Sequence, residues 1–513
     1  MNGAIIESSW IDMSLHGILR RLTSSSVVRR RDPREVRPLR SGQMRQRSVL
    51  FHLVAGTLVA CSSGHREAGD SGPELALTAA PAAVFVGERI QLTAVFAGES
   101  ASIDGIGPVQ SGIPVETPPL SRTTTFTVRV DRGDEHLEAR ATVQASYRNR
   151  IRALANAPTA HTNHVATALP DGHAIVMGGN TSAALSVPDS TRSQIFDPAS
   201  EAFTSGPDLL FSAEAQEFTS IAPLRSGGFL LVGTGINGAG GQLHPVITQV
   251  FDFAAASFSR VGDAATRGTS HRTATPLSDG GVLLSGGFGR TVTGLSDVAE
   301  RYDANAAQWR TVGSMLHVRV GHTATLLRDG RMLIAGGLTC CQEPNPSPEF
   351  WASTAEIYDP ATDAFTATGS MIAGRGLHAA ALLPDGRVLI SGGDGNDPAP
   401  FPLGTEIFDP ATGQFSASGD LQAPRDSHSA VSLTDGRVLV IGGERPPDLA
   451  GRVGVGVPAT EIFDPATARW SAGPMLGAAF YAATVTMLSN GKVLIFGGQD
   501  AGGFPQSAAA LFE

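Results

Sequence analysis

The 513-residue chain is poor in cysteine (three), tyrosine (four) and tryptophan (four), and only 17% of its residues are charged. Three cysteines cannot build a disulfide framework. Lys492 is the only lysine beside 37 arginines, which reads as the coding bias of a GC-rich genome rather than as function. No G-x-S-x-G or H-E-x-x-H motif is present. The one G-x-G-x-x-G, Gly233–Gly238, ends an apolar strand and no helix follows, so it is not a dinucleotide fingerprint. A net charge of −10 argues against nucleic acid as the main partner. The apolar run Val49–Ala60 falls short of the roughly 20 residues that span a bilayer. What the chain has is 42% hydrophobic residues with 60 Gly and 32 Pro, enough for a large core in more than one domain.

Charge is uneven. Residues 1–60 hold ten Arg against four acids, so the basic leader masks a body near −16. Arg45 and Arg47 followed by Val49–Ala60 have the form of a signal peptide. The run ends Leu58-Val59-Ala60-Cys61, which resembles the bacterial lipobox. That resemblance implies a signal peptide over 44–60, acylation of Cys61, and a membrane partnership through a lipid anchor only. Residues 1–43 are then a dispensable basic extension or a mis-assigned start. Ser62 and Ser63 in place of a charge imply the outer membrane, and an ordinary signal peptide stays as the alternative. Residues 61–73 are small and polar, a tether.

From about 74 to 146 apolar residues alternate, as in Ile90-Leu92-Ala94-Phe96 and Phe126-Val128-Val130. Period two with turn residues between is a strand signal, and six or seven short strands suit a β-sandwich. The stretch PAAVFVGERIQLTAVFAG followed by TTTFTVRV resembles bacterial immunoglobulin-like domains.

The remainder repeats. GHTATLLRDGRMLIAGG (321–337), LHAAALLPDGRVLISGG (377–393), SHSAVSLTDGRVLVIGG (427–443) and AATVTMLSNGKVLIFGG (482–498) show it best. Gly-Gly or its variant ends at 179, 235, 287, 337, 393, 443 and 498, in steps of 50 to 56. Phe/Tyr-Asp recurs in phase. The two signatures resemble kelch repeats over 151–513 and imply an all-β, seven-bladed kelch β-propeller over 147–513. Each repeat reads as strands a to d, with Asp-Gly between a and b and Asp-Pro-Ala-Thr between c and d. The seventh repeat lacks strand d at Glu513, and its spacing assigns that strand to 147–154.

Antiparallel order puts the uniform a–b and c–d turns on one face and the variable b–c and d–a loops on the other, where binding loops belong. Candidates there are Phe211, Glu214, Glu217, Arg319, Trp351, Arg375, Asp394, Asn396, Asp397, Arg425, Arg445, Phe480 and Tyr481. Arg319/His322, Arg375/His378 and Arg425/His428 form R-x-x-H pairs whose recurrence favours hydrogen bonding between blades over an anion-attracting mouth. Neutral loop variation is the competing reading of the other candidates. His161-x-x-His164 does not suggest metal, because residues three apart on a strand face opposite sides. Cys340-Cys341 is either a strained vicinal disulfide or a pair of free thiols.

These features favour an envelope-anchored binding scaffold for a carbohydrate, peptide or protein ligand, with no cofactor and no catalytic residue assigned. The alternative is a propeller enzyme acting on carbohydrate. Galactose oxidase and its relatives, which the repeats also resemble, hold copper with two Tyr, two His and a Cys crosslinked to one Tyr. Here only Tyr481 is expected near the mouth, and no residue-by-residue match exists.

Overall fold

The computed structural model describes residues 75–513 apart from 98–99, 134, 156–159, 161–163, 180–191, 211–219, 237–242, 263–271, 288–294, 340–349, 397–401, 446–454, 478–482 and 500–505. Every regular element among the described residues is a strand. The lipobox and leader lie outside them, as do Cys340 and Cys341. No helix among the described residues is long and apolar enough to cross a membrane.

The first part is a unit of two sheets. Ala76–Ala80, Gln91–Val95 and Pro114–Glu116 form one. Ala83–Phe85, Glu135–Ser146, Thr124–Arg132, Ser100–Ile103 and Gly107–Pro108 form the other, in that order. Period-two patterning sends Leu77, Leu92, Ile103, Val128, Val130 and Val143 into one core and their neighbours to water. Eight strands are described where six or seven were expected, because the short Gly107–Pro108 and Pro114–Glu116 carry little alternation of their own.

The second part holds seven four-stranded antiparallel sheets, each in the order a-b-c-d. In the fourth these are Thr323–Leu326, Met332–Ala335, Ala355–Asp359 and Ala364–Ala367. The a strands neighbour one another in chain order, and that of the seventh sheet (Thr484–Met487) neighbours that of the first (Val165–Ala168), so the sheets close a ring. All four residues of strand b are buried in six of the seven sheets, for example Met332–Ala335 and Val438–Ile441. Flanked by strands a and c and covered by sheets on both faces, they read as unbroken apolar runs rather than alternations.

The seventh sheet is completed from the other end of the ring. Ala509–Phe512 pairs with Ile151–Ala153, aligning Phe512 with Ile151 and Ala510 with Ala153. Arg150 and Glu513 exchange both backbone hydrogen bonds, at 3.2 and 3.1 Å. Burial alone would raise the Glu513 carboxyl, but hydrogen bonds from Arg150 and Lys492 hold it at about 2. The sole lysine of the chain thus helps fasten the joint, 3.1 Å from Glu513.

The stretch just before that strand anchors the two-sheet unit instead. Tyr147 donates to the Gly491 carbonyl at 2.7 Å and lies 3.0 Å from the Thr434 hydroxyl. Asn149 accepts from Arg437 at 3.0 Å, and Thr434 reaches the Ser121 carbonyl. One hydrophobic cluster runs from Leu77 and Val143 through to Leu433, Val493 and Phe512. The a–b turns of the sixth and seventh sheets are therefore covered, and Gly491 must be Gly. Its φ is +83°, and a Cβ there would lie 2.7 Å from the Ser121 carbonyl and from Val86.

Deleting residues 150–154 removes strand d of the seventh sheet and bares Ala509–Phe512 as an edge. The expected outcome is aggregation and loss of a cooperative calorimetric melt; an unchanged melt would contradict the closure.

Candidate functional site

The loop face is built upward from a unit that recurs at the entry to strand a. Arg319, Arg375 and Arg425 are fully buried, each bonded to a glutamate of strand c in its own sheet. Arg319 Nε lies 2.8 Å from Glu356, Arg375 Nη2 2.7 Å from Glu406, and Arg425 Nη2 2.8 Å from Glu461. Each Arg also donates to the carbonyl of the first Gly of its Gly-Gly: Gly336 at 2.7 Å, Gly392 at 3.0 Å, Gly442 at 2.9 Å. The second carboxylate oxygen of each Glu accepts a backbone N–H of the incoming d–a loop, from Leu316, Ile372 and Gln422, all at 2.7 Å. One ion pair thus clamps the d–a loop, the end of strand b and strand c together. Its charge is compensated where water cannot reach, which is the condition for tolerating a buried pair. These three arginines are consequently withdrawn from the ligand-facing surface considered for them in the sequence.

The partner glutamates were missed in sequence, although the signal is there. Glu300, Glu356, Glu406 and Glu461 stand in strand c only where the repeat supplies an Arg; repeats one and two have Gln194 and Gln249, and repeat seven has Ala510. In the third sheet Arg272, at the histidine position, reaches Glu300 and the Leu284 carbonyl. The pairing is kept although the Arg has moved three places along the chain.

The histidines bind sheet to sheet. His322 Nε2 lies 3.0 Å from Ser285, His378 2.8 Å from Thr323, His428 3.0 Å from Ser391, and His164 2.9 Å from Thr484, each in the preceding sheet of the ring. Gly-Gly follows from this contact. A Cβ on Gly336 would lie 2.8 Å from His378 Cε1 of the next sheet, and one on Gly337 3.0 Å from Cβ of its own His322. Both glycines also have positive φ, +66° and +91°. Burial, then the neighbouring guanidinium, pushes His322 and His428 down to about 3, and His378 well below its ordinary value.

At this end of the ring, two two-stranded ribbons form within b–c connections, Leu338–Thr339 with Phe350–Trp351 and Glu444–Arg445 with Val455–Gly456, and a third joins Arg375–Gly376 of the d–a loop to Asp394–Gly395 of the b–c connection in the fifth sheet. Trp351 is buried, its ring against Gly376, where a Cβ would lie 2.2 Å from the indole. Its backbone N–H donates to the Asn396 amide oxygen at 3.0 Å, and the Asn396 amide donates back to the Trp351 carbonyl at 2.7 Å. The pair staples the fourth sheet to the fifth. Asp394 is half-buried and accepts from the Gly395 N–H at 3.0 Å. Arg445 and Phe350 are exposed and offer side chains to solvent, as do Leu316 and Ile372 of the d–a loops. Phe211, Glu214, Glu217, Asp397, Phe480 and Tyr481 lie outside the described residues, as does His161. Among the described residues no three His, Cys, Asp or Glu are grouped to hold a metal ion.

No family model matches the chain, and no curated protein matches it. Solved structures do. A copper complex of a fungal alcohol oxidase, described as having catalytic diversity among the AA5 family, is 15% identical, with a TM-score of 0.52 over 71% of this chain and 75% of that one. A structure described as that of YjhT is 12% identical, with a TM-score of 0.44 over 70% of this chain and 95% of that one. The likeness to the oxidase is one of fold: this is an all-β protein of the propeller type.

Two outcomes test the buried layer. Glu356→Ala strands the Arg319 charge and is expected to cost about 3–5 kcal/mol in denaturant melts. Arg319→Met with Glu356→Gln, imitating the neutral first and second sheets, is expected to cost less. The histidines set an acid limb. Their folded pKa lies below the ordinary 6.5, so the unfolded chain binds more protons between those values. Stability is therefore full above pH ~6.5 and is lost as pH falls toward 3, at up to about 1.4 kcal/mol per pH unit for each histidine. Replacing His322 and His428 with Asn should flatten that limb; an unaltered slope would refute the assignment.

Proposed function

We propose that the chain is an envelope-anchored lipoprotein whose ring is a seven-bladed kelch propeller, used as a rigid scaffold to bind an extracytoplasmic carbohydrate, peptide or protein. The two-sheet unit is read as an immunoglobulin-like domain, and the lipobox at Cys61 as the anchor. The observation that carries the reading is the docking of the two-sheet unit on the uniform turns of the sixth and seventh sheets. That contact occupies part of one face and leaves the variable loops presented on the other. The buried Arg–Glu clamps support it further, because they hold each loop base in one geometry and so limit the ordering cost of binding. Among the loop-face features open to a partner are the exposed Phe350 beside the Trp351–Asn396 staple and Arg445 two sheets on.

The likeness to a copper alcohol oxidase favours an enzymatic reading as an alternative, though as fold alone. The described tyrosines do not fit a copper ligand set. Tyr147 serves the domain contact, Tyr302 packs against Trp309 at 5.3 Å, and Tyr358 donates to Asp363 at 2.5 Å in a turn. Tyr481 lies outside the described residues.

A glycan and peptide array probed with the full chain tests the proposal. Phe350→Ser and Arg445→Glu, both exposed, are expected to leave the melting temperature within about 0.5 kcal/mol of equivalent stability and to weaken binding. Binding indifferent to both, or no binding, would count against it. Stoichiometric copper in the purified protein would favour the alternative.

A further inference from the structure

On the opposite face a cavity of about 410 Å³ opens between the second and third sheets, within the size range of about 300–1,000 Å³ of small-molecule sites. Its origin is legible in the repeat. The residue after the a–b turn glycine is long in five sheets: His173, Arg331, Arg387, Arg437 and Lys492. In the fourth, fifth and sixth, the Arg folds back onto the turn aspartate at 2.7–2.8 Å. In the second and third sheets it is Gly228 and Gly281; Gly281 lines the cavity, and no side chain there fills the space.

Other substitutions furnish the space. Arg301 replaces the isoleucine that strand c carries in the next three sheets (Ile357, Ile407, Ile462) and takes over the turn carboxylate, Asp279, while also donating to the Pro360 carbonyl at 2.9 Å. Tyr302 and Ala307 both line the cavity. The equivalent pair one sheet on is Tyr358 and Asp363, hydroxyl to carboxylate. With Ala307 in the aspartate's place, the Tyr302 hydroxyl has no hydrogen-bond partner among the described residues, and the rest of the side chain is buried. Burial and the Asp303 charge raise its pKa, so it is a neutral phenol. The hydroxyl opens into the cavity, where a ligand acceptor or donor can reach it.

Charge decides the class of ligand. The wall carries two bases, Arg225 and Arg301, against two acids, Asp279 and Asp303, interleaved with apolar surface from Leu224, Val250 and Val261. An anion or a cation would meet as much repulsion as attraction. A neutral, hydroxyl-rich molecule finds donors, acceptors and apolar contact together. We propose that this cavity is a binding site for a neutral saccharide unit, distinct from the loop face and independent of any ligand bound there.

The test is saturation-transfer NMR on the full chain with D-glucose, D-galactose, N-acetyl-D-glucosamine and maltose, in wild type and three variants. Tyr302→Phe removes only the unpartnered hydroxyl. It should leave the melting temperature unchanged while weakening binding several-fold, a split that a packing role for the hydroxyl would not give. Ser259→Trp, exposed on the second sheet at the cavity wall, and Gly281→Arg, which restores the residue of the fourth to sixth sheets, should each fill the space and weaken binding at least about tenfold. Should Gly281→Arg not fold, the other two decide. Absence of binding for all four sugars by wild type, or affinity unchanged in Tyr302→Phe and Ser259→Trp, overturns the proposal.

Discussion

The ring depends on how closely one sheet passes the next at the end of strand b. There the histidine of the following sheet lies over a backbone with no side chain, and its Nε2 reaches a hydroxyl of the sheet it crosses, as His378 does to Thr323. Apolar strands alone would stack sheets without fixing their rotation, since the hydrophobic effect is not directional. The imidazole fixes it. It must stay neutral to do so, which is why acid threatens this contact before it threatens the cores of the strands. The guanidinium beside each histidine reinforces that neutrality by repelling a proton, so clamp and contact are electrostatically coupled.

The clamp also explains why variable loops coexist with a uniform ring. Apart from the clamp arginine, each Glu of the three clamps accepts from the d–a loop through backbone N–H groups, as Glu356 does from Leu316 and Glu406 from Ile372. A bond to main chain places no demand on the side chain at that position. Leu316 and Ile372 differ and both project to solvent, 45% and 67% exposed. Loop identity can therefore drift while loop position is held, the division of labour expected of a binding face on a scaffold.

Much of this was legible in the residues. Gly-Gly, Asp-Gly and Phe/Tyr-Asp gave the strand order and the number of repeats, because each marks a backbone demand that few residues meet. Counting back from the aspartate of the turn located the strand that closes the seventh sheet. The glutamates of strand c were not found, because a charged residue inside an apolar strand looks like noise until its partner some thirty residues away is considered. The three arginines stood as ligand-face candidates although their recurrence favoured hydrogen bonding between blades; without the counter-ion, neither reading located the ion pair inside one sheet. Trp351 differs again. It stands in the longest insertion and looks like a binding aromatic, yet Gly376 makes room for its ring and Asn396 takes up its backbone, so it became part of the frame.

Departures from a repeat therefore have to be read in pairs. Arg272 without an Arg three residues earlier is a defect alone and a relocated clamp beside Glu300. Gly281 is a lost side chain alone; in the wall between two sheets it leaves an opening. Arg301 then has a reason to stand where other sheets have isoleucine, since Asp279 has lost the Arg its turn would otherwise provide. Ala307 completes the set by releasing Tyr302. A single substitution in a repeat fits drift; three that compensate one another around one space are harder to obtain without a constraint acting on that space. The docking of the two-sheet unit on the sixth and seventh sheets is the parallel case on the same face, where Gly491 yields its space to Ser121 and Val86 instead of to a ligand.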